Sequence, residues 1–211
     1  MTTRIEQRAA TREKILAAAA SEFAAHGFTA TTFSSIAAAM GKPKSALAYS
    51  QFRSKEEIAI AVIDRQRETW TVFFERASGV EPAGLPRLLS LLMTAAVDAR
   101  MNDSGRAAVR LIIEGRQHGD LQVSPTFGWR EHIAAEMKTA VQLGQLPAET
   151  DIVSAARQIV TSAYGLFEAE NKGLQPSDTE RGLRLVWTNL LVGLGAHDAA
   201  GILKATAVLT A

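Results

Sequence analysis

Lys42, Lys44, Ser45, Ala46, Tyr49 and Ser50 follow Gly41 within nine residues, and their side chains share one kind of chemistry. Lysine donates to guanine O6 and N7 or to a phosphate, seryl and tyrosyl hydroxyls serve phosphate oxygens, and an alanine methyl can touch thymine. Thr32, Ser34 and Lys55 flank this group with two further hydroxyls and an ammonium. Such residues recognise a duplex only when a helix holds them rigidly at the surface, so the surrounding elements decide what they can do.

The chain supplies those elements. From Arg8 to His26 the apolar positions Ile15, Leu16, Ala19, Phe23 and Ala24 form a 3.6-residue stripe, with Gly27 as its stop. Thr31 and Thr32 offer cap oxygens to a second helix that buries Phe33, Ile36 and Ala37 and closes at Gly41. Pro43 suits the first turn of a third helix, which Leu47 would anchor inward. Ser54 followed by Glu57 has capping-box spacing and starts a long helix to about Ser78, with Ile58, Val62, Ile63, Trp70 and Phe73 on one side. Further helices are expected over about 85–101, 105–118, 126–143, 151–172 and 178–196, with a short terminal one beyond Asp198. The breaks between them carry Gly, Pro, Asn and Asp. No stretch alternates with period two between turn signals, so the fold class is all-α.

Composition narrows the function classes. Among the 211 residues there is no cysteine, which removes disulfides, thiolate zinc sites and thiol nucleophiles together. No apolar run approaches the roughly 20 residues that span a bilayer, and the polar start MTTRIEQRAATREK is no secretory signal, so a cytoplasmic protein without membrane partners is expected. Residues 1–60 hold eight Lys and Arg against five Glu, leaving a net charge of −2 on the remainder of a chain whose formal charge is +1. A basic first quarter fits phosphate contact at one end. The motifs of hydrolases, nucleotide-binding enzymes and zincins are absent. Glu114 with His118 and His132 with Glu136 stand four apart and could share a metal, but Arg110 competes for Glu114, and neither metal nor cofactor is expected.

Residues Thr11-Arg12, Ile15-Leu16, Ala18-Ala19, Phe23, Gly27-Phe28, Thr31-Thr32, Ile36-Ala37, Met40-Gly41, Leu47, Tyr49, Phe52 and Ser54-Lys55-Glu56-Glu57 closely resemble the TetR family of bacterial transcriptional regulators. The resemblance implies an all-helical homodimer with a helix-turn-helix head over residues 1–55 and a ligand-binding and dimerisation body over 56–211. It also implies repression of a palindromic double-stranded DNA operator, relieved by a small-molecule effector. This chain departs from the family at Ala48, which stands between Leu47 and Tyr49. The Gly41–Phe52 segment is thereby one residue longer than usual, so either the helix end is bulged or the contacts of Tyr49, Ser50 and Gln51 shift by one position.

The body matches more sparsely. FGWREHI (127–133) is similar to the Trp-bearing segment of the γ-butyrolactone-receptor branch, which implies an apolar, lactone-like effector beneath Trp129. Trp70, Phe74, Ile113, Phe127, Ile133 and Phe167 are the other candidate pocket residues, and core packing is the alternative for each aromatic. Leu183, Val186, Trp187, Leu190, Leu191 and Leu194 on the last long helix are expected at a dimer seam. Val153, Ala156, Val160, Ala163 and Phe167 form a compatible stripe on the preceding helix. The competing functional class is a helical small-molecule-binding or adaptor protein that never touches DNA.

Overall fold

The computed structural model describes residues 3–43, 52–118, 128–174 and 178–209. Among the described residues there are nine helices and no strand: α1 (Arg4–Ala30), α2 (Phe33–Ala39), α3 (Lys55–Val80), α4 (Leu85–Met101), α5 (Asp103–His118), α6 (Trp129–Gln142), α7 (Ile152–Asn171), α8 (Thr179–Gly193) and α9 (Ala199–Ala205). The expected third helix, with Lys44, Ser45, Ala46, Leu47, Ala48, Tyr49, Ser50 and Gln51, lies outside the described residues, as does Phe127.

The chain groups into two compact units. The first combines Met1–Thr69 with Asp98–Pro125, and the second combines Trp70–Val97 with Thr126–Ala211. In the first, α1 packs most extensively on α5. The α1 stripe is buried as its periodicity predicts: Ile15, Leu16, Ala19, Phe23 and Ala24, joined by Ala20 and Phe28, with Ala107, Ala108, Leu111 and Ile112 buried on α5. Each large aliphatic or aromatic side chain so buried contributes about 1.5–3 kcal/mol. α1 starts four residues earlier than the apolar pattern indicates. Thr3 and Glu6 cap each other there, with the Glu6 N–H donating to Thr3 Oγ1 (3.2 Å) and the Thr3 N–H to Glu6 Oε2 (2.7 Å).

In the second unit, α4, α6, α7, α8 and α9 enclose a core of Leu85, Leu88, Leu89, Met93, Ile133, Met137, Ile159, Leu183, Trp187, Leu191 and Leu203. This corrects part of the expected seam. Leu183, Trp187 and Leu191 face their own protomer's core, and the Trp187 indole N–H donates to Ser162 Oγ (3.1 Å). The physical reason is the width of the α8 apolar stripe: its centre is consumed by its own core, where α7 and α9 pack on it, and only its flanks are left. Val186 and Leu190 are half-buried and, with Arg157, Gln158, Thr161 and Ser162, line an open, mostly apolar cleft of about 490 Å³. Leu185 (65 % exposed) and Val192 (62 %), seven residues apart and so on one face of α8, carry the apolar surface outward. Beyond α9 residues 207–209 lie along α4, where Ser90 Oγ donates to the Ala207 carbonyl (2.9 Å) and the Leu209 N–H to Thr94 Oγ1 (2.9 Å).

Candidate nucleic-acid interface and aromatic site

The head is built around one glycine. Gly27 interrupts α1 at φ 77°, ψ −179°, a conformation open to glycine almost alone. The kink frees the peptide groups of the next residue, and two helices take them. The Phe28 N–H donates to Glu114 Oε2 on α5 (2.6 Å), and the Phe28 carbonyl accepts from Lys55 Nζ at the start of α3 (2.7 Å). Lys55 Nζ also lies 4.2 Å from the Phe28 ring centroid. Arg110 completes the clamp: its Nε donates to Glu114 Oε1 (2.8 Å) and its Nη1 to the Ala24 carbonyl (3.1 Å), an orphan acceptor at the end of the straight part of α1. A Cβ on residue 27 would fall on the Glu114 carboxylate and come within 2.8 Å of Arg110 Nη2.

From this clamp the chain runs into α2. Thr31 is buried and bonds back to the Gly27 carbonyl (2.7 Å), so the cap of α2 is Thr32 alone, whose Oγ1 accepts from the Ser35 N–H (3.0 Å). Thr32 and Ser34 are exposed at the start of α2, and Ile36 and Ala37 are buried beneath it, while Phe33 is only half-buried. Gly41, at φ 65°, turns the chain out of α2, and Lys42 is exposed immediately after it. Phe52 is buried where the chain returns, under the guanidinium of Arg12 (5.2 Å to the ring centroid). Ser54 caps α3 as its spacing predicts: its Oγ accepts from the Glu57 N–H (3.2 Å), while the Glu57 carboxylate accepts from the Arg53 N–H (2.7 Å). Glu56, in the first turn of α3, is held below the ordinary glutamate value by its own backbone N–H, and then by the Ser54 hydroxyl and Lys55.

Lys55 was expected to reach a phosphate. Its ammonium is half-buried and already bonded to Phe28, so its first task is to brace the α1–α2 turn. Exposed Thr32, Ser34 and Lys42 stand at the surface of the head.

The expected ligand residues divide. Trp70 on α3 and Trp129 at the start of α6 meet edge to face, with centroids 5.4 Å apart, and Phe74 one turn further along α3 meets His132 at 4.2 Å. Ile133 is fully buried in the core beside them, and Phe167 is buried on α7. Ile113 is half-buried on α5, in the first unit. In the sequence, His132 reads only as a candidate metal ligand. Three residues after Trp129, it lies on the same face of α6, and that spacing is the signal that places it in the aromatic wall. Glu136 is not its metal-binding partner: the carboxylate is buried, accepting from the Gly84 N–H (2.8 Å) and from Arg87 Nη1 (3.1 Å). No group of three potential ligands for a metal occurs among the described residues. Nor is any helix among them long and apolar enough to cross a membrane.

Comparison with known proteins agrees with this architecture. Residues 15–62 match the family described as bacterial regulatory proteins, tetR family. The A-factor receptor protein of Streptomyces griseus is 30 % identical over 187 residues, which cover 89 % of this chain and 64 % of that protein. The chain thus spans a little under two thirds of the length of this curated relative. The crystal structure of a γ-butyrolactone receptor (ArpA-like protein) superposes with a TM-score of 0.76 at 25 % identity, over 93 % of this chain and 96 % of that one. The TetR family protein CprB of Streptomyces coelicolor, solved in complex with its biological operator sequence, gives a TM-score of 0.75 at 26 % identity, over 95 % and 96 % of the two chains.

Proposed function

We propose that this chain, a member of the tetR family of bacterial regulatory proteins, is a cytoplasmic, homodimeric repressor of the γ-butyrolactone-receptor-like branch. It binds a palindromic operator through residues 32–55 and is released by a small apolar effector. The observation that carries the reading is the clamped turn at Gly27–Phe28. It fixes α2 against α1, α3 and α5, which is the bracing that a base-reading helix after Gly41 requires. Thr32, Ser34 and Lys42, with Lys44, Ser45, Ala46, Tyr49 and Ser50 of the segment after them, supply phosphate and base contacts. Lys55 acts chiefly through Phe28. Two copies are needed because one small head buries little surface, and tethering two heads raises affinity through effective concentration.

The effector site is the wall of Trp70, Phe74, Trp129 and His132, with Ile133 behind it. Flat aromatic faces with indole and imidazole donors suit an apolar molecule bearing a carbonyl, such as an alkyl-substituted lactone. Such a ligand lowers operator affinity by its differential binding to the two states, and by no more than that.

Selection of duplexes from a random pool by the purified protein tests the reading. A repressor enriches an inverted repeat, and Lys44→Ala weakens binding to it while the melting temperature holds. Failure to enrich any sequence favours the adaptor reading. An alkyl γ-butyrolactone should release the selected duplex from wild type and not from Trp129→Ala. Release from both would move the effector site away from this wall.

A further inference from the structure

We propose that Glu136 is a positioning residue for the effector site: it bolts α6 to the turn that follows α3, and an effector parts the aromatic wall by tilting α6 about that bolt. The inference rests on the reading of the wall as the effector site and adds the device that sets its width.

Contacts of α3 and its following turn with α6 come in the same order along both. Trp70 meets Trp129, Phe74 meets His132, and beyond the end of α3 the Gly84 N–H donates to Glu136 Oε2 (2.8 Å). Glu136 stands seven residues after Trp129 and four after His132, so all three share one face of α6. The first two contacts are ring against ring, and the last is a set of hydrogen bonds to a buried carboxylate. Arg87, in the first turn of α4, donates to Glu136 Oε1 from Nη1 (3.1 Å) and to the Glu81 carbonyl from Nη2 (3.4 Å). One guanidinium thus holds the carboxylate and the turn together. Gln145, just past α6, brackets the same turn, donating to the Ala83 carbonyl (3.2 Å) and accepting from the Leu85 N–H (2.7 Å). Gly84 permits the approach: at φ 87°, a Cβ there would meet Ala140 Cα at 3.2 Å and overlap the Gln145 amide.

The two kinds of contact respond differently to an intruding molecule. Ring centroids 5.4 Å apart leave no room for a ligand between Trp70 and Trp129, so an effector lodged between α3 and α6 must part them. Rings part without stranding a charge. Withdrawing Glu136 from Arg87 would leave a carboxylate buried without its counter-charge. A buried ion pair adds little net stability over apolar packing; here it supplies register. α6 therefore yields at Trp129 and holds at Glu136.

Glu136→Ala alone would strand Arg87 and endanger the fold, so the test replaces both partners, Arg87→Met with Glu136→Met, in the full chain. That protein should melt no more than about 4 °C below wild type. The exciton couplet that Trp70 and Trp129 give in circular dichroism, identified by its absence in Trp129→Phe, should be largely lost. An alkyl γ-butyrolactone should bind the double variant about tenfold more weakly than wild type. Saturating wild type with the lactone should erase the couplet, while amide protection of residues 136–142 persists in hydrogen exchange. A double variant with the wild-type couplet and lactone affinity overturns the bolt and leaves the regulator reading standing. So does a saturated wild type that loses protection over 136–142. If wild type binds no lactone, the effector reading fails, and the couplet of the free double variant still decides the bolt: lost, it stands; intact, it falls.

Discussion

Gly27 is a position where one missing methyl group organises a whole turn. Its backbone angles cost an L-residue about 1–3 kcal/mol, and a side chain there displaces the Glu114 carboxylate from the Phe28 N–H. Losing a charge-assisted hydrogen bond adds about 1.5–3 kcal/mol. Gly27→Ala is therefore expected to destabilise by roughly 3 kcal/mol or more, read as a drop in melting temperature on the order of 10 °C for a chain of this size. A melting curve within 2 °C of wild type would show that the clamp is dispensable. The glycine was legible as a break, since Gly at the end of an apolar stripe is a local signal, but not as a kink: a left-handed cap is expected there, whereas ψ is −179° and α1 runs on to Ala30. Its acidic partner was not legible. Glu114 lies 86 positions beyond Phe28 and reads, from spacing alone, as half of an i,i+4 pair with Arg110. That pair exists, but it also serves α1, which no local pattern announces. The Phe28 carbonyl that Lys55 bonds is illegible for the same reason, because it belongs to a residue 27 positions earlier.

Helices were the most readable scale. α4 begins and ends at the expected residues, α7 and α8 fall just inside expectation, with Asp151 and Asp178 as their caps, and the short terminal helix forms after Asp198. Caps and glycines are local, so a single sequence displays them. Which face of a helix meets which neighbour is a tertiary choice, and there the α8 stripe misleads: Trp187 reads as a seam residue, whereas it is buried in its own core with its indole on α7. The start of α3 yields a pH-dependent expectation. Glu56 is depressed mainly by its own backbone N–H and then by Ser54, so its ionised form is favoured by folding. That stabilisation is complete above the unfolded value near 4.5 and fades as pH falls through the lower folded value. An NMR titration should place the Glu56 midpoint below 4.5 and move it upward in Ser54→Ala, which also loses the cap on the Glu57 N–H at a cost of about 1 kcal/mol. An unchanged midpoint would remove the serine from the cause.

At the scale of the molecule, the surface of α8 left apolar is the place to look for self-association. Leu185 and Val192 are exposed, and Val186 and Leu190 line the adjoining cleft with α7 residues. Leu185→Glu with Val192→Glu should yield a folded monomer by light scattering, because neither side chain supports its own core. Operator affinity should fall at least a hundredfold as the benefit of tethered heads disappears. A double variant that stays dimeric places the seam elsewhere.

The tie between Phe28 and Glu114 also dictates an order of events during synthesis. The buried stripe of α1 emerges from the ribosome well before the helix that covers it and the acid that fastens its kink, which are translated only after residue 102. The fragment Met1–Thr69 holds only the first of the two segments that make this unit. Expressed alone, that fragment should show helical circular dichroism without a cooperative melt, whereas a cooperative transition would mean that the stripe finds cover without α5. The α1 stripe is thus closed only once α5, which follows it at a distance in the chain, has been made.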